Sequence, residues 1–302
     1  MKRQRVETEG VSLFVTSEGS GPPVVLLHGF TGSGRTLART ARDLRPGFHT
    51  VRVDLVGHGR SDAPPEPAAY TLEACAAQVA GVVAATCREP AHLVGYSMGG
   101  RVALALAAWH PDRVRSAILI GARAGILRAA DRAERRRRDE ALATEIERDG
   151  LAAFVARWMA LPLFASQARL GPEYLLRARR ERMRQRPNGL AASLRGMGAG
   201  AQPPLFDRLA EIRIPMLLVV GASDARFADI ARDLAERLPD AQLGRIPAAG
   251  HAAHVEQPET FARRARDFLN VVEARREIAS SGPHGPDRIG SGRERQEDPC
   301  RV

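Results

Sequence analysis

The sequence predicts an α/β fold in which a mostly parallel sheet is covered by helices on both faces. Short continuous apolar runs, typical of strands buried on both faces, alternate with Ala-rich stretches of high helical propensity. This alternation of strand and helix is the order that produces parallel strands joined by crossover helices. The length of 302 residues, with 44% apolar residues, suits one large core that carries an insertion.

The apolar runs predict six strands, and the segments between them predict the covering helices. The first strand follows Pro23, and the second ends in the Gly-rich segment VGHGRSD. The predicted strands are residues 24–28, 49–55, 91–94, 115–121, 214–221 and 241–247. The predicted helices end at Leu44, cover residues 72–87, run from a sharp turn after residue 94 to Trp109, cover residues 230–238, and extend from Pro258 into the 270s.

The strand pattern stops between residues 122 and 203, where apolar positions recur at the spacing of a helix. We therefore predict a core made of residues 1–121 and 204–275, into which the helical segment 122–203 is inserted. Residues 276–302 are rich in Gly, Pro and charge, and we predict a disordered tail there.

The chain is strongly basic, and almost all of its positive charge is arginine. Its formal net charge is +10, Lys2 is the only lysine among 45 basic residues, and residues 122–203 hold 17 Arg against 9 Asp and Glu. No helix-turn-helix, zinc-finger or aromatic stacking motif accompanies this charge, and aromatic residues are only 5%. We therefore expect no nucleic-acid partner, and a small polyanionic substrate would account for the charge.

Other patterns exclude further classes of protein. No apolar run approaches the ~18 residues that span a bilayer, and the polar start lacks the apolar stretch of a secretory signal. Cys75, Cys87 and Cys300 are scattered and odd in number, which indicates neither a disulfide framework nor a metal site. We expect a soluble, cytoplasmic protein without metal or membrane insertion.

The strongest chemical signal is the G-x-S-x-G motif GYSMG at residues 95–99. Small residues flank the serine in such a motif because the chain reverses in a strained turn that exposes the hydroxyl above the sheet. The strand before the motif and the Ala-rich helix after it supply the context that a chance pentapeptide lacks. Ser97 is therefore the candidate reactive serine.

A reactive serine needs a histidine to accept its proton and an acid to orient that histidine, in the chain order Ser, Asp or Glu, His. Asp224 and His251 each follow a predicted strand, where loops at the carboxyl ends of strands form sites. Asp229 is a weaker candidate because it falls close to the next helix. His254 is either a neighbouring contact or a packed histidine.

Two backbone amides would complete an oxyanion hole. One belongs to Met98, which follows the serine at a helix N-terminus. The other belongs to Phe30, in the segment HGF after the first predicted strand. The ring of Phe30 is free to be a core aromatic, because only its amide would act.

Several strings in the sequence resemble known families. The segments LLHGF, GHGRSD, GYSMG and GHAAH resemble those of the α/β-hydrolase superfamily, in which residues 122–203 would form the lid over the site. More narrowly, LVGYSMGGRVAL, ERDGLAAFVARWMALPLFASQ and NGLAASLRGMGAGAQPPL resemble MenH, the 2-succinyl-6-hydroxy-2,4-cyclohexadiene-1-carboxylate synthases of the menaquinone pathway. The resembling strings span residues 23–269 and include the lid.

The resemblance implies a reaction and a set of site residues. Family members remove a ring proton from 2-succinyl-5-enolpyruvyl-6-hydroxy-3-cyclohexene-1-carboxylate and expel pyruvate, with the serine as base and with no cofactor. Arginine forks suit such a polycarboxylate substrate. By position in the family's motifs, the substrate-binding residues are Tyr96, Arg101, Arg135, Trp158 and Arg184.

Some of these positions have competing interpretations. Arg101 lies one helical turn after the serine and would face the same pocket, and the alternative is an exposed helix face. Arg135 has close rivals in Arg132 and in residues 136–138. Trp158 fits a core position as well as a pocket.

Two other functions remain open. An esterase or C–C bond hydrolase of the same fold would use Ser97 as an acylated nucleophile and would prefer an apolar lid, which the arginine excess argues against. A non-catalytic binding module would tolerate the loss of a triad member, yet Ser97, Asp224 and His251 are all present in order.

Overall fold

The computed structural model describes residues 1–280, which are built around one eight-stranded sheet. The strands are β1 (Lys2–Thr8), β2 (Val11–Glu18), β3 (Pro23–Leu27), β4 (His49–Val53), β5 (Ala91–Tyr96), β6 (Val114–Ile120), β7 (Met216–Gly221) and β8 (Ala241–Ile246). Their order across the sheet is β1-β2-β4-β3-β5-β6-β7-β8. β2 pairs antiparallel with β1 and with β4, and all other neighbours pair parallel.

Helices cover both faces of this sheet. The α-helices within residues 1–280 are α1 (Ala38–Leu44), α2 (Leu72–Thr86), α3 (Met98–Trp109), α4 (Ala129–Met159), α5 (Gly171–Arg182), α6 (Pro187–Met197), α7 (Ala225–Arg237), α8 (Ala253–Glu256) and α9 (Pro258–Ser280). Successive side chains of a strand point to opposite faces. In β3, Val25 and Leu27 belong to the apolar cluster of α2, α3 and α7, whereas Val24 and Leu26 belong to that of α1 and α9. The predicted α/β architecture is confirmed.

The lid segment, residues 122–203, contains α4, α5 and α6 and a 3-10 helix at Pro162–Leu170. α4 is interrupted at Gly150, whose φ of +78° is a left-handed conformation that glycine adopts without steric penalty. A separate apolar cluster joins the helices through residues such as Phe154 and Leu190. Phe30, from the loop after β3, packs against this cluster and so connects the lid to the core.

No single helix within residues 1–280 is both long and apolar enough to cross a membrane. α4 and the segment Pro162–Arg182 that follows it meet this criterion of length and composition only when they are taken together, and the pair is bent by 76°.

The two ends of the described chain differ from the sequence-based expectation. The hairpin of β1 and β2 was not among the predicted strands, because β1 exposes most of its side chains and lacks a continuous apolar run. The prediction of a disordered tail from residue 276 is wrong for residues 276–280, because good helix-forming residues carry α9 on to Ser280. The rest of that predicted tail lies outside the described residues.

Candidate active site

The G-x-S-x-G segment forms a sharp turn between β5 and α3. Ser97 has a φ of +51°, which places it in the left-handed region, and its amide donates to the carbonyl of Ile120 at 2.8 Å. A Cβ on Gly95 would lie 2.5 Å from the carbonyl oxygen of Gly99, and a Cβ on Gly99 would overlap the carbonyl of Leu27. Only glycine fits at both positions, so these residues allow strand and helix to meet closely and hold the serine at the turn.

Three side chains from separate strand ends meet at this turn. The Nε2 of His251 lies 3.2 Å from the Oγ of Ser97, and its Nδ1 lies 2.9 Å from the Oδ2 of Asp224. The other carboxylate oxygen, Oδ1, accepts the amide of Phe227 at 3.3 Å, so Asp224 is also the N-cap of α7. This arrangement holds Nδ1–H toward the carboxylate and leaves Nε2 to accept the serine proton.

The histidine of this arrangement is well buried, and its surroundings fix the ring. His251 is 4% exposed, and the ring of Phe227 lies 4.5 Å from it between centroids. A Cβ on Gly121 would lie 2.7 Å from the imidazole Cε1, so the end of β6 also packs against the ring. The imidazole is therefore restricted to an orientation in which both nitrogens have partners.

The two weaker candidates lie elsewhere. Asp229 is on the exposed side of α7 and pairs with Arg232. His254 is buried against the ring of Tyr96, with centroids 4.6 Å apart, and burial lowers the pKa of His254 to about 3. The neutral His254 is thus a packed histidine beside the triad.

Both residues of the predicted oxyanion hole line the same cavity as the serine. Met98 is the first residue of α3, where a helix leaves its N–H groups without intrahelical acceptors. The amide of Phe30 donates to no acceptor among the described residues, and the ring of Phe30 packs edge-on against Trp158, with centroids 5.3 Å apart. Phe30 is therefore both a core aromatic and a source of a free amide.

A cavity of about 170 Å³ contains Ser97 and His251 and is strongly basic. Five arginines and no aspartate or glutamate are among the residues that line it. The five are Arg101, Arg123, Arg135, Arg182 and Arg226. A compartment with this charge favours a ligand that carries several negative groups.

Arg101 and Arg135 lie where the sequence predicts substrate contacts. Arg101 is buried and donates to the carbonyl of Met197 at 2.6 Å and to Gln202 at 3.2 Å. Burial, and after it the nearby Arg135 guanidinium, lower the pKa of Arg101 to about 10. Arg135 donates to Asp139 at 2.8 Å.

The rival arginines on the same helix do not line this cavity. Arg132 donates to the backbone carbonyl of Ile126, and Arg137 and Arg138 pair with Glu134. Residues 132 and 136–138 are absent from the cavity lining, which contains Arg135.

The structure does not bring Arg184 to the cavity. Its side chain is 59% exposed, beyond the end of α5, and lies 3.6 Å from Glu181. Arg182, the last residue of α5, lines the cavity instead, with its guanidinium over the ring of Phe164. The end of the helix, which the sequence pattern did not locate, decides which of the two arginines points inward.

Three of the five arginines were missed at the sequence level, namely Arg182 and two that lie next to strands of the sheet. Arg123 follows the end of β6, and Arg226 lies in the first turn of α7, two positions after Asp224. Both residues follow the carboxyl end of a strand, and this position is the sequence signal from which they could have been predicted. Arg123 is partly buried, and burial together with the Arg226 charge lowers its pKa.

Tyr96 and Trp158 supply the aromatic walls. Tyr96 lies between the imidazoles of His251 and His254. Trp158 packs against Phe164, and its buried Nε1 has no hydrogen-bond partner among the described residues. Trp158 is thus a packed residue that lines the cavity and has an unpaired indole N–H.

Within residues 1–280 no group of three or more His, Cys, Asp or Glu side chains is arranged to hold a metal ion.

Comparisons with known proteins place this site in a family. Residues 22–258 match the family model described as alpha/beta hydrolase fold. A Bacillus subtilis (strain 168) protein, whose name gives 2-succinyl-6-hydroxy-2,4-cyclohexadiene-1-carboxylate synthase as its provisional activity, is 39% identical over 267 residues, which are 88% of this chain and 97% of the relative. The structure of MenH from S. aureus superposes with a TM-score of 0.83 at 32% identity, covering 86% of this chain and 98% of that one.

A relative with a different name also matches. A pimeloyl-[acyl-carrier protein] methyl ester esterase from Chromobacterium violaceum is 34% identical over 266 residues, which are 86% of this chain and 99% of the relative. The sequence match to the Bacillus subtilis protein is higher, and the solved MenH structure matches over almost its full length. The chain belongs to the α/β-hydrolase fold family and, within it, to the MenH family of 2-succinyl-6-hydroxy-2,4-cyclohexadiene-1-carboxylate synthases.

Proposed function

We propose that this chain is a carbon–oxygen lyase of menaquinone biosynthesis. It converts 2-succinyl-5-enolpyruvyl-6-hydroxy-3-cyclohexene-1-carboxylate into 2-succinyl-6-hydroxy-2,4-cyclohexadiene-1-carboxylate and pyruvate. The relatives named as synthases of this product support the reaction, and the triad geometry supplies its base. The observation that carries the proposal is the set of five arginines, without an acid, that lines the cavity of Ser97.

The charge of the substrate explains why that observation discriminates. The substrate carries three carboxylates, and the guanidinium group binds a carboxylate through two parallel hydrogen bonds. Arg101, Arg123, Arg182 and Arg226 form no ion pair with an acid among the described residues, so their charges are available. An esterase for an uncharged ester would place these charges against apolar atoms, at a desolvation cost.

The triad acts as a proton relay in this proposal. As the Oγ of Ser97 takes the ring proton, its own proton moves to the Nε2 of His251, 3.2 Å away. The electrons of the broken C–H bond form the new ring double bond. The C–O bond to the enolpyruvyl group breaks, and its electron pair leaves with the oxygen as the enolate of pyruvate. That enolate takes a proton from the imidazolium, which returns His251 to its neutral form. Asp224 stabilises the transient imidazolium.

The backbone amides of Phe30 and Met98 stabilise the negative charge that develops on a substrate oxygen during proton removal. Fixed N–H donors do this without reorganisation during the reaction, and the two residues that carry them line the cavity. The buried Nε1 of Trp158 offers a further donor to the substrate.

The test is release of pyruvate from the enolpyruvyl substrate, followed with lactate dehydrogenase and NADH, beside hydrolysis of a p-nitrophenyl ester. Fast pyruvate release with weak ester cleavage, both lost in Ser97→Ala, is the expected result. Efficient ester cleavage without pyruvate release would reject the lyase and make Ser97 an acylated nucleophile, as in the esterase relative. If the protein shows neither pyruvate release nor ester cleavage, the result would favour a binding module.

We further propose that the protein works in the cytoplasm, where it binds its substrate, a small polycarboxylate. Cys75 and Cys87 are free thiols in the structure, which is compatible with a reducing compartment.

A further inference from the structure

A second and larger cavity, of about 870 Å³, adjoins the cavity of Ser97. It shares Phe30, Tyr96 and Arg182 as lining residues, but neither Ser97 nor His251 lines it. Its walls come from the β1–β2 hairpin, the segment that leads into α1, the helix α5 and the turn at α8. The proposed function uses these three shared residues, and it gives no role to the arginines that line only the larger cavity.

Positive charge dominates the walls of this larger cavity. Eight arginines line it, against two acids. Five of the eight have no acidic partner among the described residues, namely Arg3, Arg42, Arg60, Arg177 and Arg182. The two acids are already engaged, because Asp54 accepts the amides of Gly34 and Arg60, and Glu181 pairs with Arg35.

Two deeply buried side chains in the same walls have polar atoms without a partner. Arg52 is 7% exposed, and its Nε makes no hydrogen bond among the described residues. His254 is 4% exposed, and its Nδ1 likewise has no partner there. Buried polar atoms are almost always hydrogen-bonded, so two unpaired atoms in side chains of these walls favour a polar ligand in the cavity.

The remaining walls indicate the chemical class of that ligand. Leu170 and Val255 add apolar surface, and Tyr96 and Tyr174 add aromatic rings. A bare inorganic anion would leave these surfaces unused, whereas the carbon skeleton of an organic anion would pack on them. Planar guanidinium forks pair with carboxylates. We propose that this cavity is a second binding site of the protein, which takes an organic di- or tricarboxylate.

The test measures citrate binding by isothermal titration calorimetry. The variant Arg42→Ala/Arg177→Ala removes two exposed arginines of the larger cavity that have no acidic partner. The variant Arg179→Ala/Arg180→Ala removes the same charge from the same region, and neither residue lines either cavity. A third variant, Arg123→Ala/Arg226→Ala, changes the cavity of Ser97 alone. Inorganic phosphate is the control ligand, and circular dichroism checks that each variant is folded.

We expect the first variant to weaken one citrate-binding event at least about tenfold, as the loss of charged hydrogen bonds predicts. The Arg179/Arg180 variant should bind as the wild type does, and phosphate should bind more weakly than citrate. Four outcomes would each overturn the proposal. They are an equal loss of citrate affinity in the first two variants, a loss of citrate affinity only in the Arg123/Arg226 variant, equal affinity for phosphate and citrate, and no citrate binding at all. The binding measurement needs no turnover, so its outcome is independent of the proposed lyase activity.

Discussion

The guanidinium of Arg101 donates to the backbone carbonyl of Met197 at 2.6 Å, and it forms no ion pair with a carboxylate among the described residues. This contact ties α3, which begins beside Ser97, to the last residue of α6 in the lid. It leaves a buried positive charge without a counter-ion. A charge in that position is costly in the unliganded protein, so we expect a carboxylate of the substrate to be its counter-ion.

Replacing Arg101 with Met tests this role. We expect Arg101→Met to raise KM for the enolpyruvyl substrate at least about tenfold, because charged hydrogen bonds are lost. The free energy of unfolding should change by less than about 2 kcal/mol, because removal of an unneutralised buried charge offsets the lost contact with Met197. Pyruvate release and urea unfolding measure the two effects. An unchanged KM would make Arg101 a purely structural link.

Ser97 carries two separable properties, a reactive oxygen and a strained backbone. Ser97→Ala and Ser97→Gly should both abolish pyruvate release, because the base is gone. Only the glycine variant should gain stability, by about 1 kcal/mol, because glycine tolerates the φ of +51°. Thermal unfolding compares the two variants. Substantial activity in either one would reject the serine as base.

Asp224 orients the imidazole of His251 and caps α7, and two substitutions separate these roles. Asp224→Asn keeps a capping oxygen and should cost little stability, yet it should reduce kcat about a thousandfold or more because the imidazolium loses its carboxylate. Asp224→Ala should lose the same activity and also about 1 kcal/mol of stability. Equal stability of the two variants would contradict the capping role.

Arg182 and Arg184 form a matched pair for substrate binding. Arg182→Ala should raise KM about tenfold or more, because its guanidinium lines the cavity without an acidic partner. Arg184→Ala removes the same charge from an exposed position beside Glu181 and should leave kcat and KM close to those of the wild type. Steady-state kinetics decide between them, and the reverse pattern would show that the lid rearranges on binding.

Acid should destabilise the protein through its buried histidines. Burial lowers the pKa to about 4 for His28 and to about 3 for His58, His92 and His254. The unfolded chain takes up these protons near the ordinary histidine pKa of 6.5. The free energy of unfolding is therefore highest above pH 7 and falls as the pH decreases through 6.5 toward 4. The slope should be about 1 kcal/mol per pH unit for each histidine. Urea unfolding from pH 7 to pH 5 measures it.

A variant gives this prediction its control. His58→Gln should reduce the slope by about a quarter, because one of the four proton-binding groups is gone. A free energy of unfolding that stays constant down to pH 5 would mean that these histidines take up protons at the same pH in the folded protein as in the unfolded chain.

The triad could be predicted from the sequence because each of its members has a local signal. Glycines on both sides mark Ser97, and Asp224 and His251 each follow a short apolar strand. The chain order of the fold then leaves few alternatives. Local sequence signals also predicted the parallel sheet and its covering helices. The exposed strand β1 was not predicted, because it has no such signal.

The arginines of the cavity could not be predicted in the same way. On a helix, a shift of two residues turns a side chain by about 200°, so the inward position depends on where the helix ends. Arg182 closes α5 and points inward, whereas Arg184 lies beyond that end. Arginines occur on several faces of the lid helices, and many pair with neighbouring acids, as Arg195 does with Glu140 and Glu147. Composition alone does not separate them.

The order of the strands has a consequence for a chain that is still being synthesised. From β5 to β8 each new strand adds to the outer side of the previous one, so this half of the sheet can grow as the ribosome delivers it. Ser97 is made early, but His251 comes 154 positions later, after the whole lid. A nascent chain therefore holds its serine without a proton acceptor, and chemistry begins only after the lid and His251 have been made.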